Sequence, residues 1–92
     1  MAEQLQSRRP LRRGDVSSFP LDQELVVFDS VSGEAFLLNP TAAAVWALCD
    51  GEHTLAEIAS ELASAYGLGY QDTLSDVHEL LRRLYDQPLL TV

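Results

Sequence analysis

The sequence predicts an α+β fold in which two or three strands that form a small sheet are followed by three helices. Three observations predict it. Stretches rich in branched and aromatic residues lie within the first 38 positions, apolar residues recur at helical spacing in three later segments, and Gly, Pro or capping residues separate these segments. The chain has 92 residues, of which 47% are apolar, so we expect one compact domain.

The predicted sheet starts after a polar N-terminal segment. We expect a short first strand over Val16 to Phe19, ended by Pro20, and a second strand over Glu24 to Ser30, which is rich in residues that suit a pleated surface. Gly33 can adopt the positive φ of a tight turn. It therefore predicts a β-hairpin between the second strand and a third strand over Glu34 to Leu38.

The third strand is apolar on both faces. Phe36 and Leu38 fall on one face and Ala35 and Leu37 on the other, because side chains alternate along a strand. If the helices cover one face, the other packs elsewhere in the domain or receives a ligand. The alternation leaves open which face meets the helices.

Capping residues define the first two helices. Asn39, followed by a proline, is a favoured N-cap, and Thr54 with Glu57 forms a capping box at the start of the second helix. We expect the first helix to end at Asp50-Gly51 and the second at Gly67. Their predicted buried stripes are Ala42, Val45, Trp46 and Cys49 in the first helix, and Leu55, Ile58, Ala59, Leu62 and Tyr66 in the second.

The third helix is expected to begin near Asp72 or Thr73 and to run to Asp86, before the stop at Pro88. Its apolar residues span roughly 140° at 100° per residue, which is broader than one packing seam requires. Either a small domain wraps this helix deeply, or one edge of the arc lines a groove. These apolar residues are Leu74, Val77, Leu80, Leu81, Leu84 and Tyr85. After the helix, Leu89 to Val92 returns as a short strand or packs as a tail.

A small sheet followed by three helices is a winged helix-turn-helix-like arrangement, which raises the possibility of DNA binding. The charge argues against it. Six arginines, no lysine and 14 acidic residues give a net charge of −8. Residues 1–13 carry +3, from four arginines and one acid, so the remainder carries −11. Such a body repels phosphate backbones and attracts a basic peptide or the basic face of a partner protein.

The N-terminal arginines lie in a segment of low apolar content. We expect residues 1–14 to form a flexible basic arm in front of a domain over residues 15–92. The arginines of this segment are Arg8, Arg9, Arg12 and Arg13.

The sequence predicts no catalytic residue and no metal or cofactor site. Cys49, His53 and His78 are the only thiol and imidazole donors, whereas a structural zinc site needs four ligands. A Cys49 nucleophile would need His53 to be held by a third group, and the loop between them offers none. One cysteine allows no internal disulfide, and there is no apolar run of membrane-span or signal length. We therefore expect a cytoplasmic protein without a membrane partner.

A set of short segments carries a family resemblance over roughly residues 16–92. The first part reads GEAFLLNPTA at residues 33–42 and continues with Val45-Trp46, Leu48 and Asp50-Gly51. The second part comprises Thr54-Leu55, Glu57-Ile58-Ala59, Leu62, Tyr66-Gly67, Asp76-Val77, Leu81 and Leu84. Together these segments resemble PqqD-like proteins, the recognition elements used in making ribosomally synthesised, post-translationally modified peptides (RiPPs).

The resemblance implies an α+β fold of three antiparallel strands followed by three helices. It also implies a non-catalytic peptide chaperone that binds the leader of a precursor peptide. In that family the leader adds as a fourth strand to the third strand and lies in a cleft against the third helix. A modifying enzyme, often a radical SAM protein, works beside it. In this sequence the third strand is Glu34 to Leu38 and the third helix Thr73 to Asp86. The residues expected to bind the peptide are Glu34, Ala35, Phe36, Leu37, Leu38, Leu74, Val77, Leu80 and Leu81.

The resemblance leaves the pathway open. Family members dedicated to pyrroloquinoline quinone (PQQ) synthesis tend to have a Leu-Leu-Tyr-Pro-Glu type segment before the third strand, where this chain reads VVFDS at residues 26–30. Both the quinone pathway and another peptide pathway, such as that of a lasso peptide or a radical SAM product, remain candidates. Two other functions are also open: a winged-helix regulator that uses the arginine arm on DNA, and a structural subunit whose strand edge pairs with a second copy.

Overall fold

The computed structural model describes residues 7–91. Within them the chain forms, in order, β1 (Leu11–Arg12), β2 (Val16–Leu21), β3 (Glu24–Asp29), β4 (Glu34–Leu38), α1 (Pro40–Ala47), α2 (Leu55–Tyr66), α3 (Tyr70–Asp86) and β5 (Leu90–Thr91). Strands β2, β3 and β4 form an antiparallel sheet in that order, and β1 pairs with β5. The predicted α+β fold, a three-stranded sheet followed by three helices, is confirmed.

The two turns of the sheet have different chemistry. Gly33 has a φ of 77°, as expected for the turn between β3 and β4, and its N–H donates to the Asp29 carbonyl at 2.8 Å. Between β2 and β3 the chain reverses over Asp22 and its neighbour, with Asp22 at a φ of 59°. Aspartate is one of the few residues with a side chain that tolerates this conformation. Pro20 lies inside β2 and does not end it, so the first strand is longer than expected.

The predicted caps of α1 and α2 are confirmed. Asn39 Oδ1 accepts the Ala42 N–H at 2.8 Å, the Thr54–Glu57 capping box is complete, and Gly67 closes α2 in the left-handed conformation. The helix α3 begins at Tyr70, before the expected Asp72 or Thr73. Thr73 Oγ1 donates back to the Gly69 carbonyl at 2.8 Å, so this hydroxyl works within the first turn and not as an N-cap.

The core lies between the inner face of the sheet and the three helices. All four residues of the predicted α1 stripe are buried, although α1 itself ends at Ala47, before the expected Asp50-Gly51. In α2 the stripe is buried except for Tyr66, which is 53% exposed, and Ala63 is buried in its place. Tyr66 is the last residue of α2, where the chain turns away at Gly67. The fully buried large side chains include Val27, Val45, Leu55, Ile58, Leu81 and Leu89.

Part of the expected N-terminal arm packs on the domain. Pro10 is buried, and Leu11–Arg12 pairs with Leu90–Thr91, so one of the two alternatives for the C-terminus, a short strand, is present. Arg12 Nη1 donates to the carbonyls of Trp46 and Ala47 at 2.8 and 3.0 Å. These carbonyls end α1, whose last turn has no basic residue of its own. Residues 1–6 lie outside the described residues.

Arg13 joins the N-terminal segment to the sheet and to the C-terminus. Its guanidinium contacts the Asp15 and Asp29 carboxylates at 2.8 and 3.1 Å and donates to the Pro88 carbonyl at 2.7 Å. Burial pushes the pKa of Asp29 upward, but hydrogen bonds from Arg13 and from the backbone outweigh it and hold that pKa below its ordinary value. Arg12 and Arg13 therefore act as structural residues of the domain.

His53 fastens the loop after α1 to the side of α2. Its Nδ1 and Nε2 lie 2.9 Å from Asp50 Oδ1 and Glu61 Oε2, an arrangement that suits a doubly protonated ring. The hydrogen bond to Asp50 raises the pKa of His53 above its ordinary 6.5.

Because this pKa is higher in the folded chain than in the unfolded one, its contribution to stability is complete below pH 6.5 and is lost as the pH rises through the folded pKa. We expect the free energy of unfolding to decline over that window. In urea titrations at a series of pH values, His53→Gln should flatten the decline, with His78 still present in both proteins as the control. An unchanged slope in His53→Gln would contradict the assignment.

No helix within residues 7–91 is both long enough and apolar enough to cross a membrane.

Candidate functional site

The strand β4 has an open edge. It is the last strand in the order β2-β3-β4, so one side pairs with β3 and the other side has no strand partner among the described residues. Leu21 pairs with Glu24 across a two-residue turn, which marks a hydrogen-bonded pair. The register alternates from there without interruption, so Phe36 bonds to β3 while Ala35 and Leu37 point their N–H and C=O groups outward. An added strand would bond to these two residues.

The opposite edge of the sheet is less suited to an added strand. The same alternation places Ser18 and Pro20 among the outward-pointing residues of β2. Proline has no N–H, so this edge lacks one hydrogen-bond donor. Because the backbone of residue 20 points away from β3, the proline there breaks no bond within the sheet, which agrees with the alternation of bonded and outward-pointing residues. Strand β4 contains no proline. The sheet therefore has one edge that can accept a strand along its length.

A groove of about 520 Å³ runs between the open edge of β4 and the C-terminal half of α3. Its lining combines apolar side chains with three polar ones, Asn39, Arg83 and Gln87. The lining residues are Ala35, Phe36, Leu37, Leu38, Asn39, Ala42, Leu80, Arg83, Leu84, Gln87 and Leu89. A peptide bonded to β4 would thus have a helix and an apolar surface directly beside it.

The structure assigns the two faces of β4, which the sequence left open. Leu38 is 7% exposed and Phe36 is partly buried, and both pack against the core. Ala35 and Leu37 lie on the outer face, where Leu37 is 58% exposed. Glu34, the fifth predicted peptide-binding residue of this strand, is exposed and lies outside the groove lining.

Among the α3 residues expected to bind the peptide, Leu80 is the one that lines the groove. Val77 and Leu81 are 3% and 0% exposed and belong to the core, and neither lines the groove beside β4. Leu74 is partly buried against the core and lies outside the groove lining. Of the four α3 residues expected to bind the peptide, Leu74, Val77 and Leu81 thus lie outside the groove beside β4. Residues spaced by three or four share a helix face, and the face that holds Val77 and Leu81 points inward.

The apolar pattern of the sequence did not predict the polar side of the groove. Leu80, Arg83, Leu84 and Gln87 follow the spacing i, i+3, i+4, i+7, which puts them on one strip of α3. The spacing of apolar residues does not reveal this strip, because two of its four members are polar. Arg83 is also distinctive by charge, since residues 14–81 contain neither arginine nor lysine. It gives the groove a positive group in an otherwise acidic domain, suited to a carboxylate of a bound peptide.

Cys49 and His53 do not form a reactive pair. Burial raises the pKa of the Cys49 thiol to about 12, and the thiol donates to the Val45 carbonyl at 3.2 Å. A thiol with that pKa stays protonated at neutral pH and is a poor nucleophile. The expectation that the loop offers no group to hold His53 is wrong, because Asp50 lies 2.9 Å from Nδ1 of the ring. Glu61 lies 2.9 Å from Nε2, so both ring nitrogens are engaged by carboxylates and neither is free to accept the thiol proton. Among the residues that the structure describes, no group of three or more His, Cys, Asp or Glu side chains could hold a metal ion.

Two solved structures have the same fold. One is described as "Lasso peptide synthetase B1 complexed with the leader peptide"; it is 27% identical, with a TM-score of 0.80, over 91% of this chain and 99% of that chain. The other, "TbiB1 in Complex with the TbiA(beta) Leader Peptide", is 24% identical, with a TM-score of 0.79, over 87% and 93%. At that lower identity the second likeness concerns the fold alone.

No curated protein matches the chain significantly. The family model described as "Coenzyme PQQ synthesis protein D (PqqD)" matches residues 24–90, which include β3, β4, all three helices and thus both walls of the groove. With the strand order, the open edge of β4 and the adjoining face of α3, this match shows that the chain belongs to the PqqD family.

Proposed function

We propose that the protein is a non-catalytic peptide chaperone. It binds the leader of a ribosomally made precursor peptide by strand addition to β4 and presents it to a modifying enzyme. The observation that carries this proposal is the open β4 edge, where Ala35 and Leu37 point their backbone groups outward beside the groove with α3. Main-chain bonds to the edge provide affinity, and side-chain pockets beside it provide selectivity.

The likeness to a leader-bound lasso peptide synthetase B1 supports this proposal, because that protein covers nearly the same length and has the same arrangement of sheet and helices. The groove chemistry also suits an extended peptide. Leu80 and Leu84 offer apolar contact, and Arg83 and Gln87 offer donors along the same strip. We therefore expect a bound leader to have apolar side chains facing α3 and an acidic one near Arg83.

A role without catalysis is supported by the state of the candidate reactive groups. The Cys49 thiol is buried with a raised pKa, and the described residues hold no cluster suited to a metal. A radical SAM enzyme as the modifying partner, a cytoplasmic location and the choice between the quinone pathway and another peptide pathway stay predictions.

DNA binding through the arginine arm is not favoured. Arg12 and Arg13 bond within the domain, to the end of α1 and to Asp29, so two of the four N-terminal arginines already have partners. Arg8 lies over the Tyr85 ring, 5.4 Å from its centroid. Non-specific DNA affinity needs free basic groups to neutralise phosphates, and these residues are engaged elsewhere.

The proposal can be tested by titrating isotope-labelled protein with synthetic leaders of PQQ-type and lasso-type precursors and following backbone amides by NMR. We expect saturable shifts at Ala35 and Leu37 and on α3 from Leu80 to Gln87, with the outer edge of β2 at Ser18 as the internal control. Equal shifts on both sheet edges, or none with either class of leader, would contradict strand addition at β4. Sedimentation of the free protein would detect the alternative, self-pairing of the edge.

A further inference from the structure

A second, smaller crevice lies beyond the C-terminal end of β4. It encloses about 60 Å³ between α1, α2, the loop after α2 and the N-terminal half of α3. Its wall is largely apolar, and Leu68 at its rim is 52% exposed. The lining residues are Thr41, Val45, Leu62, Leu68, Thr73, Asp76, Val77 and Leu80.

The crevice continues the groove beside β4. Leu80 lines both, and Thr41 lies just after the end of β4. At a rise of about 1.5 Å per residue, Val77 in the crevice and Leu84 in the groove are about 10 Å apart along α3. An extended peptide covers that distance in about three residues, at about 3.3 Å each. Because Leu80 lines both, a peptide that lies in the groove along α3 has the crevice next to it, within the reach of about three further residues.

The size and charge of the crevice restrict its occupant. A group the size of a water molecule needs about 10–15 Å³ of cavity volume. The crevice therefore has room for on the order of four such groups, which is about the size of a leucine or proline side chain. Asp76 is exposed at its rim, and residues 14–81 supply no arginine or lysine to offset this carboxylate. The rim thus attracts positive charge, whereas the groove near Arg83 attracts negative charge.

Resting on the proposed function, we infer that the crevice is a second subsite for the same peptide. It takes one apolar side chain about three residues beyond the segment paired with β4, flanked by a basic residue that faces Asp76. The two subsites have opposite charge, Asp76 at one and Arg83 at the other. Together they set the direction in which the peptide lies along α3.

The test uses an mRNA-displayed pool of random linear peptides selected on the full chain. The enriched peptides should share two apolar positions about three residues apart, with a basic residue beside one of them. Leu68→Ala should weaken their binding about tenfold. A double-mutant cycle then replaces one apolar peptide residue by alanine. This replacement should lower the affinity for Leu68→Ala much less than it lowers the affinity for the parent protein. Leu21→Ala is the matched control, because Leu21 is 53% exposed, against 52% for Leu68, and lies on the sheet.

Selection on Asp76→Lys should replace the enriched basic residue by an acidic one, while Asp86→Lys, with the same change in net charge, should not. If Leu68→Ala behaves like Leu21→Ala and no peptide position couples to Leu68, the second subsite is wrong, even though peptides still bind at β4. If the parent protein enriches no peptide, both the subsite and the proposed function fail.

Discussion

Replacing Leu37 by proline is expected to abolish strand addition while the domain stays folded. The Leu37 N–H points away from β3, so its loss breaks no bond within the sheet, but it removes a donor that the added strand needs. The proline ring also blocks the approach of a strand to that edge. We expect peptide affinity to fall at least about 30-fold, which corresponds to about 2 kcal/mol. The measurement is a calorimetric titration with a leader peptide that binds the parent protein.

Ser18→Pro is the matched control for this experiment. Ser18 pairs with Val27, and its N–H points outward on the β2 edge, so the substitution has the same local consequences on the opposite side of the sheet. We expect Ser18→Pro to bind the leader like the parent protein, and circular dichroism to show both variants folded. Unchanged affinity in folded Leu37→Pro, or equal losses in the two variants, would contradict binding at β4.

The neighbours Leu80 and Leu81 are expected to respond to alanine in opposite ways. Leu81 is fully buried in the core, so Leu81→Ala leaves a cavity and should lower the free energy of unfolding by about 2–5 kcal/mol. That is a large share of the about 5–15 kcal/mol that stabilises a typical domain. Leu80 is partly buried where groove and crevice meet, so Leu80→Ala should cost less stability and weaken peptide binding about tenfold.

Urea denaturation and peptide titration at low temperature separate the two effects. The expected pattern is a folded Leu80→Ala with weakened binding, and a destabilised Leu81→Ala whose folded fraction still binds. The reverse pattern, with Leu81→Ala stable and impaired in binding, would show that α3 presents a different face to the peptide.

The features that the sequence predicted well depend on local chemistry. Gly33 at the turn, Asn39 at the start of α1 and the Thr54–Glu57 capping box each satisfy backbone groups within a few residues, so their identity and spacing indicate the structure directly. The alternation along β4 likewise predicted that its side chains divide between two faces. Family membership could also be inferred from such segments, because they recur together.

The start of α3 and the role of the N-terminal arginines depended on partners that local chemistry does not reveal. Asp72 and Thr73 are residue types favoured at an N-cap, but α3 begins at Tyr70 and Thr73 bonds back to Gly69. Arg12 and Arg13 belong to a segment whose residue types are typical of a solvated arm. Besides the bonds of Arg13 to Asp15 and Asp29, they bond to carbonyls 34 or more residues away in sequence, at the end of α1 and beside β5.

The sequence by itself determined the order of the sheet strands and helices, and an apolar β4 next to an α3 of wide apolar arc, but not the pairing of β1 with β5. Only the tertiary structure decided that β4 is an open edge, and that Leu80, Arg83 and Gln87 face the groove while Val77 and Leu81 face the core. Periodicity states which residues share a face of an element, because the helix and the strand have definite repeats. The direction in which that face points is set by the packing of whole elements, which depends on contacts between residues distant in sequence.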